Sequence, residues 1–412
     1  MRSILHCDCN SFFASVEIRD NPSLGEGAMA VCGNPDNRHG IILAKNEEAK
    51  RFGVKTGETI WQAKKKCPSL RLEVPHFEKY EKCSQLINNI YLRYTDLVEP
   101  FGIDESWLDT TASTSLFGSG EIIADELRAV VKREAGISIS VGVSFNKVFA
   151  KLGSDYKKPD ATTVIDYQNY KSKIFPLPIS DLLFVGRSTG RILARYGIRS
   201  IGDIAHADQK FLKRVLGKSG ETLHRYANGF DESPVSPYGQ GREIKSVGNG
   251  ETFSRDIFSD EEIRNAIFLM SSKACERMRN HGLKCESVEL TVKGSDFRSI
   301  SHRAPLKVPT FNAKTLGDAA FEIYKSHHDW HLPVRSVTVT GIKLRDCTKE
   351  DAQLCFINDS LKQEERRSKM SLLADELNYK FGANTLRFGF ELSDSPFVES
   401  KNNTCHFPNS LI

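Results

Sequence analysis

Two adjacent carboxylates, Asp104 and Glu105, sit between apolar residues in the stretch Phe101-Gly102-Ile103-Asp104-Glu105-Ser106-Trp107-Leu108-Asp109. Successive side chains of a strand point to opposite faces. A flat strand would therefore aim only one of these acids at a common point, whereas a hairpin apex lets both converge. A third acid, Asp8, closes the apolar run Ile4-Leu5-His6-Cys7. Three carboxylates gathered at strand ends beside basic residues suit hard divalent cations such as magnesium, which take oxygen ligands and keep positions open for phosphate. Taken alone, the adjacent acids equally describe a solvated hairpin turn. The rest of the chain decides between the two.

At 412 residues the chain is too long for one hydrophobic core, so two to four domains are expected. A hydrophobic fraction of 39% with 27% charged residues excludes a wholly disordered chain. The net charge of +4 is too small to imply a nucleic-acid partner by itself, so any basic surface must come from local clustering. The ten cysteines contain no Cys-x-x-Cys pair and read as buried free thiols in a reducing compartment. No stretch of about eighteen apolar residues offers a membrane span. The expectation is a cytoplasmic monomer without a membrane partner.

The opening strand leads into a short helix from Asn10 or Ser11 to Glu17, with either residue as its cap. Met29–Gly33 and Gly40–Ala44 read as strands. Two basic helices are expected over Asn46–Phe52 and Thr59–Lys66, and a longer one over Phe77–Leu97. After the acidic hairpin comes a helix from Ser119 to Ala135. The run Ile137-Ser138-Ile139-Ser140-Val141-Gly142-Val143 then alternates with the period of a half-buried strand. Leu182–Gly190, leading into a basic helix over Arg191–Tyr196, has the layout of a helix-hairpin-helix, whose loop amides can receive a phosphate. Gly229–Arg242, rich in Gly and Pro, reads as a linker. Beyond it lie strands at Lys245–Gly248, Ser287–Lys293 and Val334–Leu344, a helix over Asp260–Asn280, and a polar tail with a helix near Gln363–Phe381.

Several of these segments resemble the Y-family translesion DNA polymerases of the bacterial DNA polymerase IV type. Asp8-x-Asn-Ser-Phe-Phe-Ala-Ser-Val-Glu17 resembles the first motif of that family, and Ile103-Asp-Glu-Ser-x-Leu-Asp109 the second. Ser140-Val-Gly-Val-Ser-x-Asn-Lys-Val-Phe-Ala-Lys151 with Tyr156-Lys-Lys-Pro-Asp160 is similar to the third. Phe52-Gly-Val-Lys-Thr-Gly57 and Cys67-Pro68 look like its fingers. The motifs occur in family order across about 1–345.

The resemblance implies an α/β, or α+β multidomain, right-hand polymerase. A ferredoxin-like palm would span 1–10 and 78–166, with small fingers at 11–77. A helix-hairpin-helix thumb would follow at 167–230, a linker at 231–242, an α/β little finger at 243–346 and a tail at 347–412. It also implies that Asp8 and Asp104 bind two magnesium ions, that Glu105 joins the catalytic one, and that the Cys9 backbone carbonyl completes the other. Phe13 matches the steric gate that excludes a ribose 2′-hydroxyl, Phe12 would pack on the sugar or base, and Lys158 matches the triphosphate-binding lysine. The partners implied are primer–template DNA, deoxynucleoside triphosphates and a sliding clamp.

The chain departs from the family pattern at the fingers, where Glu47 and Lys50 stand in place of Tyr-x-x-Arg. A lysine can meet phosphate as a point charge but cannot make the arginine fork, so Lys50 is retained as a nucleotide contact and Glu47 is not. Gly186-Arg-Ser188 replaces the usual Gly-x-Gly of the hairpin, which leaves Gly186 and Ser188 as backbone contacts to DNA. In the little finger, Lys245, Ser246, Arg303 and Arg335 are expected on DNA phosphates, which position a duplex without reading it. Gln353, Leu354 and Phe356 belong to Gln-Leu-Cys-Phe-Ile, which looks like an altered clamp-binding peptide. A catalytically silent DNA-binding relative could dispense with one of the three acids. A nucleotidyl cyclase would need neither the hairpin motif nor the little finger.

Overall fold

The computed structural model describes residues 2–35, 40–241, 243–328, 332–347, 358–382 and 385–386. They fall into two compact units, Met1–Arg242 and a second beginning at Glu243. In chain order the first carries strands β1 (Ile4–Cys9), β2 (Met29–Cys32), β3 (Ile42–Lys45), β4 (Arg71–Glu73), β5 (Val98–Pro100), β6 (Glu105–Asp109), β7 (Ile139–Ser144) and β8 (Thr162–Ile165). The second carries β9 (Ser246–Ile257), β10 (Leu283–Gly294), β11 (Ser299–Thr310) and β12 (Val334–Asp346).

The first unit is built on a five-stranded sheet in the order β5-β6-β1-β7-β8. Strand β1 runs antiparallel to both neighbours, and β8 lies parallel to β7. Leu5, Cys7 and Cys9 of β1 face a core shared with Tyr80, Ile87 and Tyr91 from the helix Phe77–Tyr91 and with Ile123, Leu127 and Val131 from the helix Gly120–Ala135. Burying each large aliphatic side chain contributes roughly 1.5–3 kcal/mol. That burial sends the intervening residues His6 and Asp8 to the opposite face. A register slip of one residue would drive Asp8 into the core, so packing on one side specifies the chemistry of the other.

Across that polar face lies the helix Lys147–Tyr156, capped by Asn146, whose side chain accepts a 2.8 Å hydrogen bond from the Phe149 amide. Two glycines set its depth. A Cβ on Gly142 of β7 would lie 1.9 Å from the Ala150 carbonyl oxygen, and one on Gly153 would lie 2.9 Å from the Gly142 Cα. No larger residue permits this approach, which seats Lys151 and Ser154 against β1.

The sheet β3-β2-β4 forms a smaller layer with its own core of Ala30, Cys32, Ile42, Ala49, Ala63 and Leu70. Thr59 and Gln62 close a capping box on the helix Ile60–Lys66. Residues beyond β8 form a helical cluster around Leu193, Ile201, Ile204, Leu212 and Leu223. The basic helix expected at Arg191 begins at Arg187 and ends at Ala194. Gly186 precedes its first turn directly, so Ser188 is helical and does not lie in an open loop.

In the second unit, the antiparallel sheet β11-β10-β12-β9 packs on the helices Asp260–Asn280 and Ala313–His327. Strand β11 and the helix Ala313–His327 are additions to the sequence reading. Two prolines, Pro305 and Pro309, weaken the strand signal of β11. An edge position tolerates a proline because one side of the strand needs no ladder donor. Among the described residues, eight cysteines are free thiols, seven of them buried. No described helix is long and apolar enough to cross a membrane.

Candidate active site

Strands β1 and β6 pair with Asp8 directly opposite Glu105, and on its other side Asp8 is paired with Ser140 of β7. Asp104 precedes the first residue of β6, in the bend that returns from β5. The Phe101 amide donates to the Glu105 carbonyl at 2.9 Å, and the Cys9 amide donates to the Asp104 carbonyl at the same distance. The hairpin turn thus frees Asp104 from strand alternation while backbone bonds hold it at the end of β1. Cys9 buries its thiol in the core, so only its backbone borders the acids.

Two ammonium groups lie among these carboxylates. Lys151 Nζ is 2.7 Å from Glu105 Oε2, 3.0 Å from Asp8 Oδ2 and 3.3 Å from Asp155 Oδ2. Lys158 Nζ is 2.7 Å from Asp8 Oδ1 and 2.8 Å from Asp155 Oδ1. The charges are unequally affected. Burial, then the neighbouring Asp8 and Glu105, raise the Asp104 carboxyl to about 7. Burial would also raise Glu105, but the His6 ring and the Lys151 ammonium outweigh it and hold that carboxyl down at about 2. For Lys151 burial works against the charge, and Asp8 and Glu105 more than restore it, so its ammonium is held above the usual lysine range.

Sequence reasoning missed His6, Ser154 and Asp155. His6 is fully buried two residues before Asp8, hence on the same face, and that parity was the available signal. Its Nδ1 lies 2.8 Å from Ser154 Oγ, and that hydroxyl donates its only proton to the Lys151 carbonyl at 2.8 Å. Ser154 must therefore accept from His6 Nδ1–H. Burial lowers the imidazole pKa, opposed first by the Glu105 carboxylate, whose Oε2 lies 3.4 Å from Nε2. His6, Asp8 and Glu105 offer ligand atoms within 4.8 Å of one another. A pocket of hard carboxylate oxygens that already draws in two cationic side chains fits a divalent cation.

Phe12 and Phe13 open the helix Phe12–Asp20, which follows Ser11 in the left-handed region at φ 49°. Phe13 stacks on Tyr80 with centroids 4.2 Å apart and meets Phe77 edge-on. Phe12 is only 3% exposed and belongs to the core beneath, so its ring supports Phe13 and is not presented to a ligand. Glu17, also buried, anchors the helix by accepting from the Tyr80 hydroxyl at 2.5 Å and lying 2.9 Å from His76 Nδ1. On the helix Glu47–Arg51, Lys50 is exposed and pairs with Glu47 at 3.5 Å.

The remaining expected contacts are dispersed. Gly186 and Ser188 are exposed at the start of the helix Arg187–Ala194. In the second unit Lys245 is exposed just before β9, and Ser246 begins that strand. Arg303 of β11 is exposed and paired with Glu289 of β10. Arg335 is mostly buried, with its guanidinium 4.6 Å from the Phe297 ring and 3.8 Å from Asp256, which leaves it less available than expected. Gln353, Leu354 and Phe356 lie outside the described residues.

Residues 7–155 match the impB/mucB/samB family, and residues 244–354 match the C-terminal domain of the same family. The DNA polymerase IV of Acetivibrio thermocellus is 43% identical over 95% of this chain and 98% of its own length. That of Pelotomaculum thermopropionicum is 36% identical over 93% and 94%. The DNA polymerase IV 1 of Bacillus subtilis is 33% identical over 95% and 93%. Among solved structures, a Y-family DNA polymerase chimera shares the fold with a TM-score of 0.72, covering 83% of this chain and 98% of its own at 24% identity. The fold is that of the Y-family polymerase chimera, and on it His6, Asp8 and Glu105 offer a ligand set suited to a divalent cation. The chain belongs to the Y family of DNA polymerases, alongside the DNA polymerase IV proteins. It is a DNA-directed DNA polymerase of the translesion type.

Proposed function

We propose that Asp8, Asp104, Glu105 and the Cys9 carbonyl hold two magnesium ions, and that the chain adds deoxynucleotides to a primer 3′ end with them. The observation that carries this reading is the register of β1 on β6, which sets Asp8 opposite Glu105 with Asp104 in the adjoining turn. Bound there, the ions would activate the primer hydroxyl and neutralise the leaving pyrophosphate. Little covalent work is left to the protein, whose residues position and neutralise charge.

Phe13, backed by Tyr80 and Phe77, is assigned the role of steric gate against a ribose 2′-hydroxyl. Its stacked support makes displacement by an extra oxygen costly. Phe12 acts through Phe13. Lys158 and Lys50 are assigned to the triphosphate, Lys158 by exchanging its carboxylate partners for phosphate oxygens. Gly186, Ser188, Lys245, Ser246 and Arg303 are assigned to the DNA backbone, with Arg335 as a lesser contact. The chain acts as a cytoplasmic monomer, and Gln353, Leu354 and Phe356 engage a sliding clamp.

Primer extension tests the reading directly: full-length protein, a primed template, magnesium and deoxynucleotides. Extension should require all four. Folded protein that binds primed DNA without extending it would overturn the assignment. Clamp-stimulated extension that is lost on replacing Leu354 and Phe356 with alanine would bear on the peptide separately.

A further inference from the structure

We propose that Lys151 is a resident counter-cation of the metal site, exchanged for the divalent ion, and that Asp155 takes up its ammonium when the ion enters. This rests on the assignment of Asp8 and Glu105 as metal ligands. The ammonium is 2.7 Å from Glu105 Oε2 and 3.0 Å from Asp8 Oδ2, so it bridges the two strands whose acids the metal must also bridge. A magnesium ion sits about 2.0–2.1 Å from each ligand oxygen. Sharing those oxygens with the ammonium would press like charges together in a poorly solvated place, and one of the two cations must leave.

The structure limits how Lys151 can leave. Its backbone is fixed by the Gly142–Gly153 approach and by the Ser154 hydroxyl that joins the Lys151 carbonyl to His6. Movement therefore falls to the four-carbon side chain. One turn along the same helix, Asp155 Oδ2 already lies 3.3 Å from the ammonium, and this carboxylate is half-exposed where Asp8 and Glu105 are not. Turning the end of the side chain outward keeps the Asp155 contact and releases the other two. Lys158 occupies the second oxygen of Asp155 at 2.8 Å, so one carboxylate serves both lysines. The charge of the metal-free site is thereby partly offset, and stray divalent ions bind it more weakly than three open carboxylates would.

The test is a titration of the full-length chain with manganese alone, without DNA or nucleotide, following free manganese by electron paramagnetic resonance. Lys151→Met should bind manganese at least about fivefold more tightly than the unaltered chain, and Lys151→Gln should do the same. Lys157→Met, which removes an exposed neighbouring charge, should shift binding less than twofold. Asp155→Asn should weaken binding when Lys151 is present and have little effect in the Lys151→Met background, because the carboxylate then has nothing to receive. Folded Lys151 variants that bind manganese no more tightly than the parent overturn the counter-cation role. A Lys157 effect as large as that of Lys151 does so too, since it reduces the result to general charge. An Asp155→Asn effect that is equal in both backgrounds overturns the receiving role. Asp8→Asn serves as the reference: manganese binding unchanged by it would sink the metal-site assignment itself, a different failure from the other three.

Discussion

The five-stranded and the four-stranded sheets each bury one face in a helix-packed core, and they use the other face differently. In the five-stranded sheet, the polar side of β1 is closed by the helix Lys147–Tyr156, and Asp8, Glu105 and Asp155 are confined with two lysines within a few ångströms. In the four-stranded sheet the open face is set by pairs such as Thr338 with Gly250 and Thr340 with Gly248, and its charges are spread out, as in Arg303 with Glu289. A Cβ on Gly248 or Gly250 would lie within 2.4 Å of a threonine hydroxyl, so these strands present backbone and small polar groups. The difference teaches what each task requires. Chemistry at phosphorus needs charges fixed at low local dielectric, where they are strong. Holding a polyanion needs dispersed, solvated contacts that are individually weak.

The contrast breaks most sharply at Asp104. Asp104→Ala should reduce primer extension by three orders of magnitude or more, while affinity for primed duplex stays within about twofold. Retained extension would remove the residue from the metal set. Next in size is Phe13→Ala. Ribonucleotide incorporation relative to deoxynucleotide should rise by about a hundredfold, with folding intact because Phe12 and Tyr80 still fill the core; unchanged sugar selectivity would return Phe13 to a packing role.

The acidity of the site provides a third handle. Asp104 must lose its proton to bind metal, and its carboxyl stands raised to about 7. The magnesium concentration for half-maximal extension should therefore fall on the order of tenfold per pH unit up to about pH 7 and level off above it. A flat dependence between pH 6 and 8 would show that Asp104 is already ionised. The smallest effect belongs to the second sheet. Arg303→Ala should weaken DNA binding by about two- to threefold, more at low salt than at high, and lower the salt slope by about one. A loss as large as that of Asp104→Ala in extension, at saturating DNA, would erase the distinction between the two sheets.

Much of this arrangement is legible in the chain before it folds. The alternation around Asp8 and the interruption at Asp104–Glu105 are local patterns, and local backbone geometry turns them into strand ends and a hairpin. The helix Asp260–Asn280 is equally readable from periodicity. Strand β11 is not, because its prolines hide a role that only an edge position makes tolerable. Arg335 reads as a free cation until Phe297 and Asp256 are found beside it.

By itself the sequence determined which residues can carry charge, which faces of strands must be buried, and that three acids sit at the ends of apolar runs. Only tertiary structure decided their company. The contacts of Lys151 with Asp8 and of His6 with Ser154 span 143 and 148 residues, and they exist because Gly142 and Gly153 let one helix come close to one strand. Such contacts depend on register and depth of packing, which are set by the burial of many side chains at once and leave no mark on any single segment.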